Sequence, residues 1–286
     1  MKFTVILVVC LVLVGCLHLA GPSESGSVSI PAADQTAATE GVRARHRVEP
    51  GQVASATGCT LEYRRYRPEA PVTEVRVVLA HGFLRTQDRM VDLARRLADA
   101  GVETVTLDFC NTRFWDGRHF RNGLDMIRVA DALGETPVIY AGFSAGGLAA
   151  VVAGRNDPRT LGVVGLDLVD AGGLGEGAAA GLDRPLLGLV GDPSPCNAEN
   201  NGLAVFAAAP RAIVERVAGA EHCDFESPTD WLCRLICRRS APEPASPRRD
   251  IIDAATAAIL SLSAGEPWVS SRATAAHPSS VLARAR

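Results

Sequence analysis

Gly142-Phe143-Ser144-Ala145-Gly146-Gly147 is the stretch on which the fold turns. Before it, residues 138–142 form an apolar run of strand length; after it, 145–154 is a run of small residues that reads as a helix. A serine at such a strand-to-helix turn, with glycine two residues before and two after, fits a nucleophile elbow. The turn is sharp and the serine strained, so only glycine fits the flanking positions. The helix that starts there directs backbone N–H groups and its dipole toward negative charge growing beside the serine oxygen. An ordinary glycine-rich turn has the same composition, so the partners must come from elsewhere in the chain.

Outward from this turn, strands and helices alternate. Residues 74–80, 102–108, 162–169, 185–191 and 211–217 read as further strands. Between the first two, Met90, Leu93, Ala94, Leu97 and Ala98 recur at helical spacing, with Thr86 placed to cap that helix and Gly101 to close it. Residues 122–133 repeat the pattern with Met126, Val129, Ala130 and Leu133, and 251–262 read as a closing helix. Continuous apolar strands alternating with helices predict an α/β fold, its parallel sheet covered on both faces. The chain of 286 residues is 47% hydrophobic and 21% charged, enough for one domain with a sizeable core. A formal net charge of −3 with no basic stripe argues against nucleic acid as a partner.

On the elbow and its setting, the segment from about residue 59 to 265 resembles the α/β-hydrolase family. It is most similar to secreted bacterial esterases, lipases and polyester hydrolases and to the chlorophyllase-like branch. The resemblance implies a mostly parallel eight-stranded sheet and acyl transfer through an acyl-enzyme, without cofactor or metal. Val77-Val78-Leu79-Ala80-His81-Gly82-Phe83 is a buried strand ending in His-Gly. The family pattern then implies that the backbone N–H groups of Phe83 and Ala145 form the oxyanion hole. This His-Gly form is shorter than the His-Gly-Gly-Gly of many lipases. His81 itself reads as a structural residue of the loop.

The family order is serine, acid, histidine. Of six histidines, His18, His46 and His277 lie outside the core pattern, His81 sits in the oxyanion loop and His119 precedes the serine. His222, in the loop after the last strand, is the expected base. The acid should end a strand between the two. Asp192 terminates the apolar run 186–190 and is followed by Pro193-Ser194-Pro195, whose two prolines restrict the loop. Asp192 is therefore the expected acid, with Asp170 and Asp167 as rivals at the end of the preceding strand. Asp224 and Glu226 read as solvated loop charges.

The connection 170–184 is too short and too rich in glycine and alanine for a lid, so an open site without a substantial cap is expected, suited to bulky or polymeric esters. Phe114 and Trp115 are candidate pocket walls that packing alone would equally explain, and Phe143 is expected to pack beneath the elbow. Residues 3–15 form an apolar run after Lys2, too short to span a bilayer comfortably but of signal-peptide length. It ends in Leu13-Val14-Gly15-Cys16, which resembles a bacterial lipobox and implies a lipid anchor on Cys16. The expected organisation is a leader over 1–15, a flexible tether over 16–45, the hydrolase domain over 46–265 and a disordered tail over 266–286. Export to an outer membrane or cell surface follows, with secretion or the periplasm as alternatives. Beyond Cys10 and Cys16, six cysteines remain, an even number suited to disulfides in an exported protein. A bridge from Cys196 or Cys223 to Cys233 or Cys237 would brace the acid and base loops, while Cys59 and Cys110 admit a reading as buried thiols. Zinc is disfavoured, because no second close cysteine or histidine pair joins Cys233 and Cys237.

Hydrolysis of carboxylic esters, of small-molecule, lipid or polymeric type, is the leading functional reading. The same three residues would also serve an acyltransferase, a thioesterase or an amidase, and a non-catalytic lipoprotein retaining the fold is the third reading.

Overall fold

The computed structural model describes residues 45–55, 58–110, 117–237 and 247–268. Cys16, Phe114, Trp115, the leader, most of the tether and most of the tail therefore lie outside the described residues. The sheet has eight strands: β1 (His46–Ala54), β2 (Thr60–Pro68), β3 (Arg76–Ala80), β4 (Glu103–Leu107), β5 (Val138–Phe143), β6 (Thr160–Leu166), β7 (Leu186–Val190) and β8 (Ala212–Arg216). Their spatial order is β1-β2-β4-β3-β5-β6-β7-β8. All neighbours from β4 to β8 are parallel, and β2 is antiparallel to both β1 and β4.

Every residue of β3, β5 and β7 is buried, as a parallel strand covered on both faces requires. Alternate side chains feed two cores. Val77 and Leu79 of β3, with Ile139 and Ala141 of β5, meet α1 (Val91–Asp99) and α7 (Arg248–Ala264) on one face. Val78 and Ala80, with Val138 and Tyr140, meet α2 (His119–Ala132) and α3 (Ala145–Asn156) on the other. Three short α-helices complete the described residues: α4 (Leu174–Ala180), α5 (Leu203–Ala208) and α6 (Trp231–Ile236).

Two expectations need correction. The edge hairpin β1–β2 was not among the predicted strands; its polar, half-exposed alternation and Pro50 weaken the apolar signal, as is common at an edge. Thr86 makes no capping bond. It precedes a 3₁₀ turn at Gln87–Met90, where Asp108 Oδ1 accepts the Gln87 backbone N–H at 2.7 Å instead. Gly101 does close α1, at φ 89°. Between β6 and β7 the only described helix is α4, seven residues long, so no cap domain is inserted there.

Candidate active site

The elbow forms where the sequence places it. Ser144 sits between β5 and α3 at φ 54° and ψ −123°, a backbone region that costs an ordinary residue about 1–3 kcal/mol and persists only where the surroundings enforce it. The enforcement is visible. The Ser144 N–H extends the β5–β6 ladder to Leu166 O at 2.9 Å, and Ser144 O takes the Gly147 N–H at 2.9 Å. A Cβ on Gly142 would collide with the Gly146 backbone, and one on Gly146 with the carbonyls of Ala80 and His81. The two glycines thus let the turn and the end of β3 pack backbone to backbone.

That packing brings the loop after β3 to the serine. A Cβ on Gly82, the residue before Phe83, would lie 3.3 Å from Ser144 Cβ. Ala145 is the first residue of α3, and its N–H is one of the four that a helix leaves without an intrahelical acceptor. His81 holds the loop: its Nδ1–H donates to Gly82 O at 2.7 Å, and Nε2 accepts the Phe109 N–H at 3.3 Å, partners that set the tautomer. Burial lowers the His81 pKa below the ordinary imidazole value, which keeps the ring neutral and the Nε2 lone pair in place. Its role is structural, as expected.

His222 arrives from the far side of the sheet on a 3₁₀ turn after β8. Its Nε2 lies 3.1 Å from Ser144 Oγ, and its ring packs 4.6 Å from that of Phe143, centroid to centroid. Its Nδ1 lies 2.6 Å from Asp167 Oδ2. Serine, histidine and aspartate are all buried and form one continuous hydrogen-bonded row.

The acid in this row is not Asp192. Parallel register pairs Phe143 with Leu166, so the residue after β6, Asp167, lies beside Ser144 on the adjacent strand. A left-handed φ of 44° turns its side chain toward the imidazole. Asp192 stands two residues past the end of β7, where its Oδ2 accepts the Gly219 N–H at 3.2 Å. Asp170 instead accepts the N–H groups of Ala171 and Gly175 at the start of α4, at 2.8 and 2.7 Å.

No family model and no curated protein matches the chain, but solved structures do. Est1E from Butyrivibrio proteoclasticus is 15% identical over 75% of this chain and 99% of its own, with a TM-score of 0.57. A cold-adapted esterase from an Arctic intertidal metagenomic library is 16% identical over 61% of this chain and 86% of its own, at 0.54. The esterase domain of a Rhodothermus marinus protein is 19% identical over 62% and 90%, at 0.50. The chain has the α/β-hydrolase fold. Within that fold the elbow after β5 and the histidine loop after β8 meet at the carboxyl edge of the sheet, and Asp167 joins them from the end of β6.

Three features of this site escaped the sequence. Asn197, fully buried, donates through Nδ2 to Asp167 Oδ2 at 3.2 Å and to Asp192 O at 2.9 Å. Its Oδ1 accepts the N–H groups of Ser194 and Asn200 at 2.8 and 3.2 Å. With the Gly191 N–H donating to Asp167 Oδ1 at 2.9 Å, this amide fixes the carboxylate. Glu226 is not solvated: it is fully buried and paired bidentately with Arg85, which ties the histidine loop to the loop after β3. Asp224 is turned inward too, its Oδ2 accepting the Glu221 N–H at 2.9 Å. The disulfides are Cys196–Cys237, Cys223–Cys233 and Cys59–Cys110. The first two are the brace expected of the acid and base loops, and the third replaces the buried-thiol alternative. Cys223, Cys233 and Cys237 bring their sulfurs within 4.8 Å of one another, yet each is spent in a disulfide rather than present as a metal-binding thiolate.

Proposed function

We propose that the chain is a serine hydrolase of carboxylic esters in which Ser144 is the nucleophile, His222 the base and Asp167 the acid. The observation that carries this reading is the buried row Ser144 Oγ–His222 Nε2 at 3.1 Å and His222 Nδ1–Asp167 Oδ2 at 2.6 Å. Neutral His222 takes the Ser144 proton as Oγ attacks the ester carbonyl carbon, and Asp167 stabilises the imidazolium while remaining ionised. The N–H groups of Phe83 and Ala145 hold the oxyanion. Collapse of the tetrahedral intermediate breaks the carbon–alkoxy bond, and His222 returns the proton to the leaving alcohol. Water then attacks the acyl-enzyme with His222 again as base, releasing the acid and restoring Ser144.

A connection between β6 and β7 that carries only the seven-residue α4, with no cap inserted, favours bulky, lipid or polymeric esters, in line with the polyester-hydrolase and chlorophyllase-like resemblance. Residues 1–16 favour export and a lipid anchor on Cys16, which would hold the domain at a membrane surface. Ser144→Ala should lower turnover of p-nitrophenyl butyrate by roughly 10⁶-fold, the loss typical of a removed nucleophile, and abolish labelling by a fluorophosphonate. Wild-type turnover by the alanine variant would overturn the assignment.

A further inference from the structure

Beside the histidine loop the molecule exposes an apolar face that the proposed chemistry does not use. Trp231 is 74% exposed, Ile236 70% and Leu235 59%, and Leu232 stands partly out as well, all on α6. A helix of six residues does not hold itself together in water. This one is pinned from three directions: Cys233 is bridged to Cys223, the residue after His222; Cys237 is bridged to Cys196; and Asp230 caps it by accepting the Cys233 N–H at 2.9 Å. A second apolar exposure adjoins it. Leu84, directly after Phe83, is 58% exposed at φ 57°, and its neighbour Arg85 lies 3.0 Å from Asp230. Large side chains are thus presented to solvent on rigid backbone at both sides of one ion pair.

The helix itself carries a single charge, and it is positive. Arg234 is the only ionisable side chain on α6 besides the bridged cysteines, and it is exposed. Asp230, just before the helix, is met by Arg89 at 2.8 Å and by Arg85 at 3.0 Å, and Arg85 also pairs with Glu226, so that cluster is balanced and leaves Arg234 as the charge of the face. Tryptophan and leucine side chains with a flanking cation suit a lipid–water boundary, where apolar side chains enter the acyl region and arginine meets anionic headgroups.

We infer that α6 and Leu84 form a docking face for an anionic lipid surface, held rigid by the two disulfides next to His222. The inference deepens the hydrolase reading and rests on it only for the substrate class, which becomes esters presented at that surface rather than free in solution.

The test uses the full chain carrying Trp115→Phe and Trp268→Phe, which leaves Trp231 as the sole tryptophan of the original three. Vesicles contain phosphatidylcholine and phosphatidylglycerol in equal parts, with bromine-labelled acyl chains. Trp231 emission should shift to the blue and be quenched. Adding Leu235→Ser and Ile236→Ser should cut the quenching, and the hydrolysis of emulsified tributyrin, by on the order of ten-fold while leaving p-nitrophenyl acetate turnover unchanged. If the double-phenylalanine chain does not fold, the quenching lost on Trp231→Ser in the otherwise unaltered chain gives the same reading. An unquenched Trp231 on a chain that nonetheless sediments with vesicles overturns the inference. So does a Trp231 buried only by dimerisation, which would make the face a contact between copies. Equal quenching on phosphatidylcholine alone overturns the anionic preference. A chain that hydrolyses neither ester defeats the hydrolase reading, while the quenching still decides the docking face.

Discussion

Two neighbouring strands of this sheet run into aspartates, and the two carboxylates do different things. After β6, Asp167 is 1% exposed and meets the His222 ring directly. After β7, Asp192 reaches the backbone of the turn before His222: its Oδ2 takes the Gly219 N–H, and its own N–H donates to Ala220 O at 2.9 Å. One aspartate holds the imidazole, and the other holds the loop that delivers it. The stiff, proline-bearing segment follows Asp192, yet its rigidity is passed back through Asn197 to Asp167. Restricted backbone therefore marks the support of a buried carboxylate as readily as the carboxylate itself.

The sharpest way to break this comparison is to neutralise each acid in turn. Asp167→Asn should lower kcat by about 10⁴-fold, the loss expected when a triad aspartate is replaced without change of shape. Asp192→Asn should cost less than about ten-fold, because only the delivery of the loop is weakened. Ester turnover by the two purified variants decides it, and a reversed order would reinstate Asp192 as the acid. Next in size is the brace. Cys196→Ser with Cys237→Ser opens a loop whose ends are 41 residues apart and should destabilise the fold by about 4 kcal/mol on the loop-entropy estimate. Opening Cys223–Cys233, only 10 residues apart, should cost about 3 kcal/mol in the same denaturant titration. Smaller again is Asn197→Ala, which leaves Asp167 in place but less fixed. Its kcat should drop by roughly 10²-fold with KM nearly unchanged, and Asn197→Gln, with its longer arm, should not restore it. A variant with wild-type kcat would remove Asn197 from the account.

Much of this molecule is legible in local sequence. The strands β3, β5, β6 and β7 are short apolar runs, the elbow is a contiguous motif, and His222 is the one histidine in the right place after the last strand. What stayed hidden is non-local. β1 and β2 alternate polar and apolar residues at an edge, a weaker signal than a fully buried strand gives. Which aspartate meets His222 depends on sheet register and on the left-handed turn at Asp167, neither of which periodicity reports. Glu226 looks solvated because its partner, Arg85, is 141 residues away in the chain.

The two aspartates also share one point of failure. A single asparagine amide is bonded to the carboxylate of Asp167 and to the carbonyl of Asp192, so a disturbance at the end of either strand is transmitted to the other.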